Sequence, residues 1–231
     1  MRIAILSNTL PAALPIYDEL KRNSDVELFI VLCPVSRDSG ARDFGRHFAR
    51  WILKEGRWES LRLALAGRVL VCRKALDHPR TRRLLSSLKL DIGLHKSGTI
   101  YHASTIACFR LGILNAHIGI LPRYRGRSVM EWALIEGGPV GVTVFFIDVG
   151  IDTGTRILMS EEVDVSQCKS IAEAKQYLFS LDAVFYRRAV ELLYDGTGDC
   201  HVNDGSGRRY YVMSRLFHDV AENVLPAIEN K

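Results

Sequence analysis

Three polar residues stand out by type and spacing. Asn115 and His117 lie two residues apart in the apolar run Gly112-Ile-Leu-Asn-Ala-His117. On an extended strand that spacing points both side chains to one side. An amide and an imidazole on a buried strand cost free energy unless something uses them. The third, Asp152, sits between Gly150 and Gly154. The run before it, Val142-Thr-Val-Phe-Phe-Ile147, is strongly β-prone. Together the three supply acid/base and oxyanion chemistry. A histidine moves protons near neutral pH. An aspartate beside it can hold the ring and favour its charged form. An asparagine amide can donate to a developing oxyanion. No Ser or Cys in this stretch is placed as an obvious nucleophile, so the attacking group is expected to belong to the substrate. No metal is required.

These residues must be positioned by strands. Pro122 stops the first strand, because it lacks a ladder donor, and Arg125-Gly126 follow in a loop. The amino-terminal part reads as strand, helix, strand: Arg2–Ser7, Ala12–Lys21, Asp25–Cys33. That βαβ opening implies a parallel sheet. Asn8 or Thr9 is expected to cap the first helix. No Gly-x-Gly-x-x-Gly follows the first strand, so a dinucleotide-type turn is not supported. Gly40 to His47 mimics P-loop spacing but lacks the Lys and Ser/Thr that hold phosphate and magnesium. Apolar spacing from Asp43 to Ala66 is helical, with Trp51 and Trp58 read as packing anchors.

Further along, Arg68–Arg73 and Leu90–Leu94 read as strands and Pro79–Leu88 as a helix. His95 and Lys96 would open a loop. His102–Phe109 reads as a short helix. Ser128–Glu136 reads as another, with a capping-box spacing between Ser128 and Glu131. Arg156–Val163 is a strand. Ser170–Tyr194 reads as one long amphipathic helix ended by Gly196 and Gly198. After a turn over Asn203–Gly207, Arg208–Met213 would be a strand and Ser214–Val224 a helix capped by Ser214. The fold expected is α/β, Rossmann-like, with a mostly parallel sheet and helices on both faces. Residues 1–199 would form a catalytic domain and 200–231 a short carboxy-terminal appendage. Tyr210, Tyr211, Leu216 and Phe217 can cover the domain's own sheet or make a homodimer contact, and self-packing is favoured.

Composition bounds the reading. The 231 residues, 48% hydrophobic, suit one large domain with at most a small appendage. No apolar run is long enough to span a bilayer. The start, Met-Arg-Ile-Ala-Ile-Leu-Ser7, enters a strand rather than a signal peptide. Five scattered cysteines with no Cys-x-x-Cys argue against a disulfide framework or zinc site and fit a reducing cytoplasm. Net charge is +5, with an excess of basic residues between Arg42 and Arg83. This segment reads as a solvated helical face before it reads as an anion-facing surface.

The pattern Asn115-x-His117, Leu121-Pro-x-x-Arg-Gly126, Gly141-Val-Thr143, Asp148-x-Gly-x-Asp-Thr-Gly154 resembles the formyltransferases that use 10-formyltetrahydrofolate. The resemblance is best from about Asp91 to Met159 and general in the amino-terminal third. It implies that Asn115, His117 and Asp152 are the catalytic trio. It implies that Ser97, Gly98, Thr99 and Ile100, with Val149, Gly150 and Ile151, cradle the folate. Gly119 and Val129 depart from the family pattern, where Ser and Pro are common, and bear on the substrate loop. The implied reaction is attack by an acceptor's primary amine on the formyl carbon. The acceptor is expected to be a small molecule, most readily an amino-sugar nucleotide. Methionyl-tRNA or glycinamide ribonucleotide are alternatives: the first lacks room here for its usual carboxy-terminal domain, and the second is usually held by a Ser/Gly-rich loop, whereas Ser7–Pro11 has no Gly. A non-catalytic folate- or nucleotide-binding module is the reading from another class. The three polar groups argue against it.

Overall fold

The structure is a computed structural model that describes residues 1–34, 62, 63, 65–150, 152–203 and 207–225. The helix expected over Asp43–Ala66, the P-loop mimic and Ile151 therefore lie wholly or mostly outside the described residues. The chain divides into two compact units, Met1–Leu114 and Asn115–Lys231.

The first unit is built on parallel strands. They are β1 (Arg2–Ser7), β2 (Glu27–Leu32), β3 (Val69–Val71), β4 (Leu90–Lys96) and the start of β5 (Phe109–His117), in the order β3-β2-β1-β4-β5. Their runs are nearly continuous in apolar residues, as strands buried on both faces must be. Ile3, Ile5, Leu6, Ile30, Val31, Leu32, Ile92 and Leu94 are all 0% exposed. Each such side chain contributes roughly 1.5–3 kcal/mol of burial. Parallel neighbours need crossovers. Helix α1 (Leu10–Leu20) packs on β1 and β2. Helices α2 (Pro79–Ser87) and α3 (Ala103–Ile106) follow β3 and β4 in the chain. The imidazole Nδ1 of His78 caps α2 by accepting from Arg80 N at 3.2 Å.

The second unit opens on the last three residues of β5. It holds β7 (Gly141–Phe146), antiparallel to β8 (Arg156–Glu162), which is antiparallel to β9 (His201–Val202). A separate parallel ribbon joins β6 (Tyr124–Gly126) to β10 (Arg208–Tyr210). Its helices are α4 (Val129–Ile135), α5 (Ile171–Ser180), α6 (Asp182–Tyr194) and α7 (Arg215–Val224), with α4 against α7 and α6 against β7. The α/β fold with a mostly parallel sheet is the one expected.

Several local expectations are corrected. Neither Asn8 nor Thr9 caps α1 through its side chain. The Asn8 amide, oriented to satisfy its neighbours, instead donates to Cys33 O and accepts from Gly98 N. Strand β4 runs on through His95 and Lys96, because β1 offers Leu6 and Ser7 as ladder partners. The capping box at Ser128 does not form. Ser128 is left-handed (φ 52°) and its hydroxyl accepts from Met213 N at 3.2 Å, while Glu131 is buried and pairs with Lys175. The long helix over Ser170–Tyr194 is two helices. At Leu181 the amide bonds back three residues, to Leu178 O, and the first helix ends there. Ser214 precedes α7 but makes no side-chain cap bond, whereas Ser170, for which no cap was expected, caps α5 by accepting from Glu173 N. Tyr210 is buried, but Tyr211 and Leu216 are exposed, so self-packing of that group is partial.

All five cysteines are free thiols. Among the described residues there is no cluster of three or more metal-ligating side chains. No described helix is long and apolar enough to cross a membrane.

Candidate active site

Asn115 and His117 close β5 on the same side of the strand, the first half-buried and the second buried. The ring of His117 is fixed from Nε2, which lies 2.9 Å from the carbonyl oxygen of Tyr124. A carbonyl only accepts, so Nε2 carries hydrogen. Nδ1 is then the ring atom that can gain or lose a proton. Asp152 Oδ2 lies 3.7 Å from it, at ion-pair range and beyond a direct hydrogen bond. The ring is thus held by a backbone carbonyl, and Asp152 acts on it as a nearby charge. Phe145 meets the ring edge-on at 6.4 Å between centroids.

Asp152 is itself held. Its Oδ2 accepts from Gly126 N at 3.1 Å, and its backbone is left-handed (φ 49°). That conformation is rare for a residue with a side chain. Thr153 supports the same loop by donating to Asp148 Oδ1 at 2.6 Å. The site's holders therefore lie on β6: the carbonyl of Tyr124 for His117 and the amide of Gly126 for Asp152.

Strand β6 is in turn braced by the carboxy-terminal segment. The hydroxyl of Tyr210 on β10 donates to Glu136 at 2.9 Å, and that of Tyr124 donates to the same carboxylate at 3.2 Å. Burial and this carboxylate push the Tyr210 hydroxyl up to about 12. Tyr124, Tyr210, Trp132 and Phe217 form a chain of tilted ring contacts at 5.5–5.6 Å. Tyr124 and Glu136 carry no sign of this role in the sequence, and Tyr210, expected to pack on its own domain, was not tied to the site. A backbone acceptor has no sequence signature, and the two tyrosines are far apart in the chain.

Gly119 is a close approach. A Cβ there would stand 2.8 Å from His117 Nε2, 2.8 Å from Tyr124 O and 2.9 Å from Val129 Cγ2. The two departures from the family pattern thus touch each other. Gly119→Ala is expected to wedge apart the His117–Tyr124 contact and lower activity at least ten-fold. Combining it with Val129→Ala should recover only part of that, because two of the three contacts remain. Steady-state kinetics on the single and double variants checks this.

The expected folate wall has different parts. In the first unit Ser97 is buried, its hydroxyl 3.3 Å from Tyr101 OH, so it can offer only backbone outward. Gly98 has open space around it. Thr99 is half-buried and Ile100 is 61% exposed. In the second unit Val149 is 68% exposed and Gly150 half-buried. Ile100 in the first unit and Val149 in the second each expose an apolar side chain. Beneath Ser97, His95 Nδ1 lies 2.7 Å from Tyr101 OH. Burial, then the charge of Lys96, pushes the imidazole down to about 4 from the 6.5 of a free ring. On acidification the unfolded chain takes up this proton before the folded one, so stability is lost between pH 6.5 and 4. A falling Tm over that window, with a shallower fall in His95→Gln, is expected in thermal melts.

A family model described as Formyl transferase matches residues 1–190, and the chain belongs to that family. A methionyl-tRNA formyltransferase of Flavobacterium psychrophilum is 35% identical over 99 residues, 38% of this chain and 31% of that one. One from Syntrophus aciditrophicus is 40% identical over 84 residues, 36% of this chain and 27% of that one. The match thus spans about a third of these relatives' length. Among solved structures, a 4-N formyltransferase from Francisella tularensis superposes with a TM-score of 0.66 at 14% identity, covering 97% of this chain and 86% of that one. The formyltransferase PseJ from Anoxybacillus kamchatkensis, solved with UDP-4,6-dideoxy-4-formamido-L-AltNAc and tetrahydrofolate, gives 0.59 at 18% identity, covering 91% and 85%. Glycinamide ribonucleotide transformylase 1 from Symbiobacterium toebii gives 0.61 at 20% identity, covering 88% and 94%.

Proposed function

We propose that this protein transfers a formyl group from 10-formyltetrahydrofolate to the primary amine of a small acceptor, an amino-sugar nucleotide. The observation that carries the reading is His117. It stands on the strand of Asn115, with Nε2 tied to Tyr124 O and Nδ1 facing Asp152. When bound, the folate supplies the formyl carbon that the acceptor amine takes. Asn115 donates its amide hydrogens to the oxygen on which negative charge develops. His117 Nδ1 holds or passes the proton that the amine gives up, and Asp152 balances the ring's charge while it does so. Gly126 N fixes the carboxylate that performs this. Ser97–Ile100 and Val149–Ile151 are assigned to the folate; among the described residues of this set, Gly98, Ile100 and Val149 are exposed. Residues 1–199 are assigned as the catalytic part and 200–231 as an appendage whose strand β10 braces β6.

The acceptor assignment draws on the turn after β1. There Ser7 Oγ donates to Thr9 O at 2.8 Å and accepts from Thr9 N, and Asn8 is used by Cys33 and Gly98. The Ser7 and Asn8 side chains are spent internally and the turn has no glycine, so a ribonucleotide phosphate finds little there. PseJ, with its bound sugar nucleotide, shares the fold. The test is release of tetrahydrofolate, followed by absorbance, with amino-sugar nucleotides, glycinamide ribonucleotide, Met-tRNA or no acceptor. Release that depends on an amino-sugar nucleotide is expected. Release with another acceptor would overturn the assignment, release with none would mean hydrolysis, and folate binding without release would favour a binding module.

A further inference from the structure

The ribbon of β6 and β10 sets arginines side by side. Arg209 is the register partner of Arg125, so their Cα atoms stand about 5 Å apart with both side chains on one face. Tyr124 and Tyr210, with Glu136, occupy the other face by alternation. Arg123 and Arg127 lie two residues either side of Arg125 in sequence. Like charges directly opposed on neighbouring strands destabilise the pairing unless something neutralises them. Among the described residues no ion pair includes Arg123, Arg125, Arg127, Arg208 or Arg209. The nearby carboxylates are engaged: Glu136 by two tyrosines, Asp152 by Gly126 N and His117.

Arg125 adds a second observation. Its Nε is buried and has no hydrogen-bond partner among the described residues. Native structures seldom leave such a donor unmet without a ligand or water to take it. Arg209 is exposed, with its guanidinium 5.2 Å over the Tyr211 ring, which limits its conformational freedom. Paired planar guanidinium groups suit phosphoryl oxygens, which they bind through two hydrogen bonds each. The location fits an acceptor. Arg125 lies between Tyr124, whose carbonyl holds His117, and Gly126, whose amide holds Asp152.

We propose that Arg125 and Arg209 bind the diphosphate of a nucleoside-diphosphate-linked acceptor. That the bound nucleotide is an acceptor rests on the formyl-transfer reading, but the binding of its diphosphate does not. Arg125 and Arg209 would then act as specificity residues contributed from two distant parts of the chain.

The test is titration of the full chain, without any formyl donor, with uridine diphosphate, thymidine diphosphate and inorganic pyrophosphate. Calorimetry at low salt reads it, alongside tryptophan fluorescence, to which Trp132, in tilted contact with Tyr210, contributes. Saturable binding of at least one probe is expected. Arg125→Gln and Arg209→Gln should each raise Kd at least ten-fold, and Arg209→Lys less. Arg188→Gln, which removes a cation paired with Glu161 elsewhere, should stay within two-fold. Should Arg125→Gln prove unstable, the exposed Arg209 carries the test alone. No binding of any probe by the folded protein would overturn the proposal, as would an unchanged Kd in Arg209→Gln. Binding of a short RNA without binding of the diphosphates would overturn it too. No turnover enters these readouts, so a failure of the formyl-transfer reading does not change what they show about diphosphate binding.

Discussion

His117→Ala is expected to lower acceptor-dependent release of tetrahydrofolate by roughly 10²–10⁴-fold, the usual worth of a positioned acid/base group. The ring's two nitrogens have separate roles. Tyr124 O engages Nε2, so only Nδ1 is free to exchange a proton, and it faces Asp152. Alanine removes both the proton carrier and the donor to Tyr124 O, and a buried carbonyl left unmet costs about 1–3 kcal/mol. His117→Gln separates the two effects, since its amide can still donate to that carbonyl but does not titrate. It should be as inactive as alanine while melting closer to wild type. Asp152→Asn keeps an oxygen for Gly126 N and removes only the charge. It should alter the pH profile of kcat more than the KM of either substrate. If His117→Gln kept more than a tenth of wild-type activity, the proton role assigned to Nδ1 would be wrong.

Gly126→Ala is expected to damage stability and activity together. Gly126 has φ 108°, which residues with a Cβ rarely adopt, and an added Cβ would stand 2.2 Å from Tyr210 O. The strain alone is worth on the order of 1–3 kcal/mol. The clash is with backbone, which cannot swing aside as a side chain can, so β6 and β10 must separate. That frees the amide that holds Asp152 and shifts the carbonyl that holds His117. Both stability and kcat should fall together, read by urea unfolding and by kinetics. Gly137→Ala is the control. It also has positive φ (62°) but nothing within 4 Å of its Cβ, so it should cost only about 1–2 kcal/mol and leave kcat unchanged. Equal losses in the two variants would remove the case that β10 supports the site.

Most strands could be read in advance because burial on both faces leaves near-continuous apolar runs. Boundaries were less legible. His95 and Lys96 look like loop residues, yet β1 supplies ladder partners that extend β4 through them. The break at Leu181 is silent in sequence, since apolar spacing continues across it. Ser128 and Glu131 carry the letters of a capping box. Met213 N takes the hydroxyl and Lys175 the carboxylate instead, and both partners come from distant segments.

By itself the sequence determined the types and spacing of Asn115, His117 and Asp152, the βαβ opening and the family pattern. These are local properties: side-chain chemistry, period-two alternation, and glycines where the backbone must turn. Tertiary structure decided what holds those groups. The Tyr124 carbonyl fixes His117, the Gly126 amide fixes Asp152, and β10, far along the chain, stands beside both. A backbone carbonyl or amide is the same in every residue but proline. Which one meets the histidine is therefore set only when strands find their register, as is the placing of Arg209 beside Arg125.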